Sequence, residues 1–153
     1  MRRTALLGCM ILAVGCGPGQ DQEAPAAEMP EAEAPAANIL DAFAGTWSMQ
    51  ALTEAGDSVL VDYEMVATSS TDGWTITFPD REPIPAHIME AAGDSVVIHV
   101  GPYASALRDN VQVSTVTVSR VMGDQMMGYF TATYQTEGGE EILNGLQQGD
   151  RIR

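Results

Sequence analysis

From residue 39 onward the apolar residues of this chain recur at every second position, in short runs broken by Gly, Asp and Asn. Val59, Val61, Tyr63 and Met65 alternate with Asp62 and Glu64. Trp74, Ile76 and Phe78 alternate with Thr75 and Thr77. Met126, Phe130, Ala132 and Tyr134 fall in one phase, and Thr131 and Thr133 in the other. A period of two places successive side chains on opposite faces of a strand. One apolar and one polar face is the pattern of an antiparallel sheet with one side buried and one wet. Eight candidate strands follow, over 45–52, 58–68, 74–78, 84–92, 95–100, 111–121, 126–135 and 141–148. The sixth changes phase, from odd positions at Val111 and Val113 to even ones at Val116 and Val118, which predicts a bulge near Ser114 and Thr115.

The connections agree with this reading. Gly56-Asp57, Asp72-Gly73, Gly93-Asp94 and Gly123-Asp124 each separate neighbouring strands. Such pairs supply the positive φ that tight hairpins need. The related stretches 54–59 and 91–96 repeat one hairpin chemistry. Helix is expected only as a turn over 38–43, with Asn38 as its cap. Residues 39–153, 115 in all, suffice for one domain. The fold class expected is all-β: a single small antiparallel up-and-down barrel of about eight strands, preceded by a short helical turn. Closure removes the sheet edges that would otherwise pair with other chains.

Ala44-Gly45-Thr46-Trp47, just after Ile39-Leu40-Asp41-Ala42-Phe43, resembles the Gly-x-Trp opening of lipocalin-like (calycin) barrels. The resemblance implies that Trp47 packs across a closed barrel end, under an arginine near the last strand. Arg151 is the matching residue, with Arg153 and Arg120 as substitutes. It also implies a lumen that can hold a small apolar ligand among Met49, Tyr63, Phe78, Ile98, Tyr103, Phe130 and Tyr134. Small barrels are alternatively filled by their own side chains. The same residues are then core, and the domain is an interaction or envelope-structural module.

The N-terminus carries an address. Arg2 and Arg3 precede an apolar run over residues 4–14, and small residues lead to Cys16. This is the layout of a secretory signal. It resembles the processing site of a bacterial lipoprotein, with residues 1–15 removed and Cys16 acylated, palmitate included. Ala13 stands where the family's pattern carries Leu. Leu6-Leu7-Gly8-Cys9 fits that pattern better but has almost no apolar run before it. The run before Gly17-Pro18-Gly19 is about half of the roughly 20 residues a spanning helix needs. Cys9 would leave with the signal, so Cys16 would be the mature chain's lone cysteine and could form no internal disulfide. A lone cysteine in an oxidising compartment needs a task, and acylation supplies one. The alternative is an ordinary signal cleaved near Gly15, leaving a free or intermolecularly bridged thiol. Arg2-Arg3 also hints at twin-arginine export. The expected location is the cell envelope, lipid-anchored and extracytoplasmic, facing the periplasm or on the outer membrane.

Residues 16–38 carry Asp21, Glu23, Glu28, Glu31 and Glu33, four prolines and no base. Such a segment cannot bury enough surface to offset its ordering entropy, and proline with like charge keeps it extended. It reads as a disordered acidic Pro/Ala-rich tether. The barrel segment 39–153 holds sixteen acids against five arginines, and the chain has no lysine. A phosphate backbone needs a basic footprint, so nucleic acid is excluded as a partner. Anionic lipid heads are disfavoured for the same reason. The lipid on Cys16 is therefore the expected membrane contact.

No catalytic site is expected, and no cofactor. There is no nucleophile elbow, no phosphate loop and no cysteine in the barrel segment. Asp62 and Glu64 share a strand face, as paired acid–base carboxylates would, but a wet face accounts for them. His87 and His99 are the two histidines. If Gly93 and Asp94 form a two-residue turn, His87 pairs with Val100 and His99 with Ile88. The two rings then point to opposite faces, and no joint metal site is expected. The loops 101–110 and 79–83 are candidates for contacts at a barrel mouth. Labelling cells with a radioactive lipid precursor is expected to mark the wild-type chain and not Cys16→Ala. Label retained in that variant would place the anchor elsewhere.

Overall fold

The structure, a computed structural model, describes residues 38–152. The signal segment, Cys16, the tether up to residue 37 and Arg153 lie outside the described residues. A 3-10 turn, Ile39–Ala42, opens the described chain, with the Asn38 side chain accepting from the Leu40 amide. Eight strands follow: β1 (Gly45–Thr53), β2 (Val59–Ala67), β3 (Trp74–Thr77), β4 (Ile84–Ala92), β5 (Ser95–Ala104), β6 (Gln112–Met122), β7 (Gln125–Thr136) and β8 (Gly139–Ile152). They form a closed antiparallel barrel in chain order, with β1 paired to β8. The domain is all-β, an eight-stranded up-and-down barrel behind one helical turn. Gly56, Gly73, Gly93 and Gly123 take φ of 73°, 83°, 62° and 67° at the turns.

Three irregularities separate the barrel from a plain reading of the alternation. Ala51 pairs with Val61 but Leu52 pairs with Val59, so Leu60 is an extra residue in β2. Val59 thereby leaves the inward set and is 49% exposed. Ile88 pairs with Ile98 but Glu90 with Val97, so Met89 is an extra residue in β4. The third lies between Val100 and Tyr103, where Gly101 and Pro102 oppose Ser114. The bulge expected at Ser114 and Thr115 in β6 therefore belongs to β5 instead. β6 keeps one phase throughout its pairing with β7. Val113, Thr117 and Ser119 are buried along its inner face, and Val116 is exposed. The valines at 116 and 118 suggested a phase change because they are an apolar outer face. Glycine is required at Gly101: φ is 116°, and a Cβ there would lie 2.8 Å from the Val113 carbonyl oxygen. β5 consequently runs four residues beyond its expected end and takes Tyr103 out of the expected loop.

The core lies in the lumen and over one end. Leu40 and Phe43, from the opening turn, pack with Trp47 and Trp74. Phe130, Ala132, Tyr134 and Val113 pack together. Inward glycines on β8 make room for large neighbours. A Cβ at Gly145 would lie 2.5 Å from Cζ of Phe130, and one at Gly149 would strike the Met49 sulfur. Small barrels close by such alternation of small and large residues. Gly145→Ala is therefore expected to cost about 1–3 kcal/mol through overpacking, read as a lower denaturant midpoint at unchanged slope. Gly138→Ala, with only Thr136 Oγ1 nearby at 3.7 Å, is expected to stay within about 0.5 kcal/mol of wild type.

Candidate functional site

One end of the barrel is sealed by the residues around Trp47. The indole of Trp47 is fully buried and donates from Nε1 to the Phe43 carbonyl at 2.8 Å. Trp47 and Arg151 are cross-strand partners on β1 and β8. The Arg151 guanidinium lies 4.1 Å from the Trp47 ring centroid, in cation–π range. It also donates to the carbonyls of Ala44 and, at 2.7 Å, Ala42. Its Nε is 3.6 Å from Asp124. One side chain thus joins the opening turn, β1, the β6–β7 turn and β8. Arg120 lies elsewhere, on the outer wall, 3.5 Å from Asp94.

The other seven candidate residues face the lumen. Met49, fully buried, pairs with Tyr63 across β1 and β2. Tyr63, Phe78 and Tyr103 form a chain of rings, with centroids 5.8 and 5.7 Å apart. Ile98, Phe130 and Tyr134 complete the walls of a cavity of about 70 Å³. Met49 is not among its lining residues; its sulfur fills the space over Gly149. A drug-sized ligand needs about 300–1,000 Å³. Even a cavity that accepts benzene is about twice as large as this one.

The lumen also carries polar side chains that the alternation did not reveal. Tyr63 donates to Gln147 Oε1 at 2.8 Å, and Gln147 Nε2 donates to Ser119 at 2.5 Å. The hydroxyls of Tyr103 and Thr115 are 3.1 Å apart. Among the described residues no buried side-chain polar atom lacks a partner. Burial pushes the Tyr63 phenol well above the usual tyrosine range, and the neighbouring Tyr103 adds to this. Burial also raises Tyr103 and Tyr134; Thr115 opposes the rise at Tyr103, and Arg108 opposes it at Tyr134.

Residues 105–111 cover the mouth above these rings. The Ser105 hydroxyl accepts from the amides of Leu107 and Arg108, both at 3.0 Å. Arg81, from the 79–83 loop, donates to the Ala104 and Ser105 carbonyls at 2.5 and 2.9 Å. Arg108 lies 4.2 Å from the Tyr134 ring centroid and donates to Glu141 at 2.5 Å. The 79–83 loop and β8 hold the cover down.

The outer wall holds a feature missed at the sequence level. Val97, Val118, Tyr129, Leu146 and Leu52 are successive cross-strand partners over five strands. The rows on either side run Arg120, Met127, Gln148 and Val116, Thr131, Asn144. None of these positions is acidic, in a segment with sixteen acids. Tyr129 is 58% exposed, beside an open groove of about 850 Å³. Asp62, by contrast, accepts from Gln50 at 2.9 Å on the wet face of β2, and Glu64 is exposed. The signal for the wall was present in the valines at 116 and 118. Comparison with protein families, curated proteins and solved structures finds no match to the chain.

The unfolded chain ionises its tyrosines near pH 10, whereas the folded chain holds these three neutral to higher pH. Their contribution is therefore intact below about pH 10 and falls as pH rises through the folded values. The denaturant midpoint is expected to drop between about pH 9.5 and 11.5, less steeply in Tyr63→Phe. At neutral pH that variant leaves Gln147 Oε1 without its donor and is expected to cost about 1–3 kcal/mol.

Proposed function

We propose that the chain is an exported lipoprotein, held on the cell envelope by a lipid on Cys16. Its lipocalin-like barrel is a solid module that works through its outside, against a protein partner. The observation that carries this reading is the filled lumen. Six of the seven candidate ligand residues enclose about 70 Å³, and the seventh, Met49, plugs the space over Gly149. The lumen is core, as in other small barrels filled by side chains. The lipocalin-like assignment is supported by the Gly45-x-Trp47 opening and by Arg151 lying over Trp47.

The acid-free row around Tyr129 supports an outward-acting role. A domain rich in carboxylates repels other acidic envelope proteins at most faces, and this wall carries acids only at its margin, with Glu90 beside Val97, Asp150 at the groove and Asp94 against Arg120. Exposed aromatic and Met side chains are enriched where proteins meet. The reading of the barrel as an apolar-ligand carrier requires residues 105–111 to lift and the ring chain beneath to part.

Native mass spectrometry of the full chain, together with in-cell photo-crosslinking from position 129, tests the proposal. The spectrum is expected to show the chain and its anchor alone, and position 129 a discrete adduct that position 57 does not give. A small apolar molecule released only on unfolding would overturn the solid-barrel reading. Equal labelling from both positions would overturn the outward-facing one.

A further inference from the structure

The bulge at Met89 has a chemical effect. With one extra residue in β4, His87 pairs directly with His99. Without the bulge His87 would face Val100 and the rings would point to opposite sides, which is why the sequence argued against a shared site. Directly opposed residues in an antiparallel pair share a face, with Cβ atoms about 4.5–5.5 Å apart. Ala86 and Val100, one step along, are buried in the lumen, so the histidine pair is on the outside. His87 is exposed and His99 half-buried.

We propose that His87 and His99 form a bidentate site for a late first-row divalent cation. Neutral imidazole is the ligand type that suits Zn²⁺, Ni²⁺ and Cu²⁺, and the order of affinities favours Cu²⁺. Two imidazoles held by one rigid sheet bind as a preorganised chelate, so the ordering cost falls on the fold and not on the binding step. The flanking positions leave room. His99 has Val116 beside it on β6. On the other side the β3–β4 ladder starts at Trp74 and Ala86, so His87 has no ladder partner there. Met89 is 67% exposed at the bulge itself, and bulges commonly re-aim side chains near functional positions.

Among the described residues no three His, Cys, Asp or Glu groups come close enough to hold a metal together. The pair therefore supplies two ligands, and water, Met89 or a second molecule supplies the rest. A closed structural zinc site takes four protein ligands. An open two-ligand site is suited to holding a cation that another donor can share or remove. The assignment does not depend on the solid-barrel reading, because it uses only the β4–β5 register.

The test uses the full chain, purified without a polyhistidine tag, with Cys9 and Cys16 replaced by Ser to remove competing thiols. Cu²⁺ and, separately, Zn²⁺ are titrated into this protein and into its His87→Gln, His99→Gln and doubly substituted forms. Calorimetry gives affinity, and electron paramagnetic resonance of the Cu²⁺ form counts the coordinated nitrogens. The expected result is one equivalent bound through two imidazole nitrogens. Either single substitution should leave one nitrogen and weaken binding about tenfold or more, since even outer-shell changes cost that much. Bound cation should also raise the melting temperature, through linkage to the native state, and only when both histidines are present. Both side chains lie outside the core, so the variants are expected to melt near wild type without metal. Binding of equal strength in the double variant, or all-oxygen coordination in the parent, would overturn the site. Cross-strand proton contacts that place His87 opposite Val100 would overturn it as well.

Discussion

The seam between β1 and β8 is the contact on which the barrel depends. Every other pair of neighbouring strands is consecutive in the chain and joined by a short turn or loop, but this one brings together the two ends of the domain. Its closure must offset the loop entropy of nearly the whole segment. Trp47 and Arg151 lie opposite one another on that seam. The guanidinium covers the indole and also donates to Ala42 and Ala44 in the opening turn. An arginine suits the position because its planar fork stacks on an aromatic face while directing several donors outward. The same residue thus fastens the first and last strands and fixes the short turn that covers the barrel end.

With the seam shut, the lumen fills from its walls. Met49 occupies the space over Gly149, Phe130 the space over Gly145, and the rings of Tyr63, Phe78 and Tyr103 follow one another toward the mouth. Polar groups enter only where they find partners, as in the run from Tyr63 through Gln147 to Ser119. Such a network fixes one arrangement of the interior when every member is satisfied. The two proposed sites accordingly lie outside, on the row around Tyr129 and at the histidine pair beside it.

The alternation, the four Gly-Asp or Asp-Gly turns and the helical start at Asn38 were enough to read the strand count, the order and the closed barrel. The inward positions of Phe130 and Tyr134 followed from the same period, and that of Met49 from the lipocalin-like resemblance. The bulges were not legible at Leu60 and Met89, because one extra residue leaves the local composition unchanged and shows only in the partner's register. A single unit of register moved His87 from opposite Val100 to opposite His99. The polar inner face of β6 was hidden for another reason. Thr115, Thr117 and Ser119 face inward against Tyr103 and Gln147, while the valines at 116 and 118 face out. An alternation rule assigns the apolar set to the core and so inverts the second half of that strand, while Val113 in the first half is inward and buried.

The methionines provide reporters on both sides of the wall. Met49, Met65 and Met126 are at most 2% exposed, whereas Met89, Met122 and Met127 are 67%, 65% and 41% exposed. Methyl spectra of methionine-labelled full chain, titrated with dodecanoate below its micellar concentration, ask whether the barrel interior is open to an apolar ligand. A closed, filled barrel predicts that the methyls of Met49, Met65 and Met126 keep their positions at saturating dodecanoate. Shifts at those three methyls, with Met89, Met122 and Met127 unmoved, would contradict it.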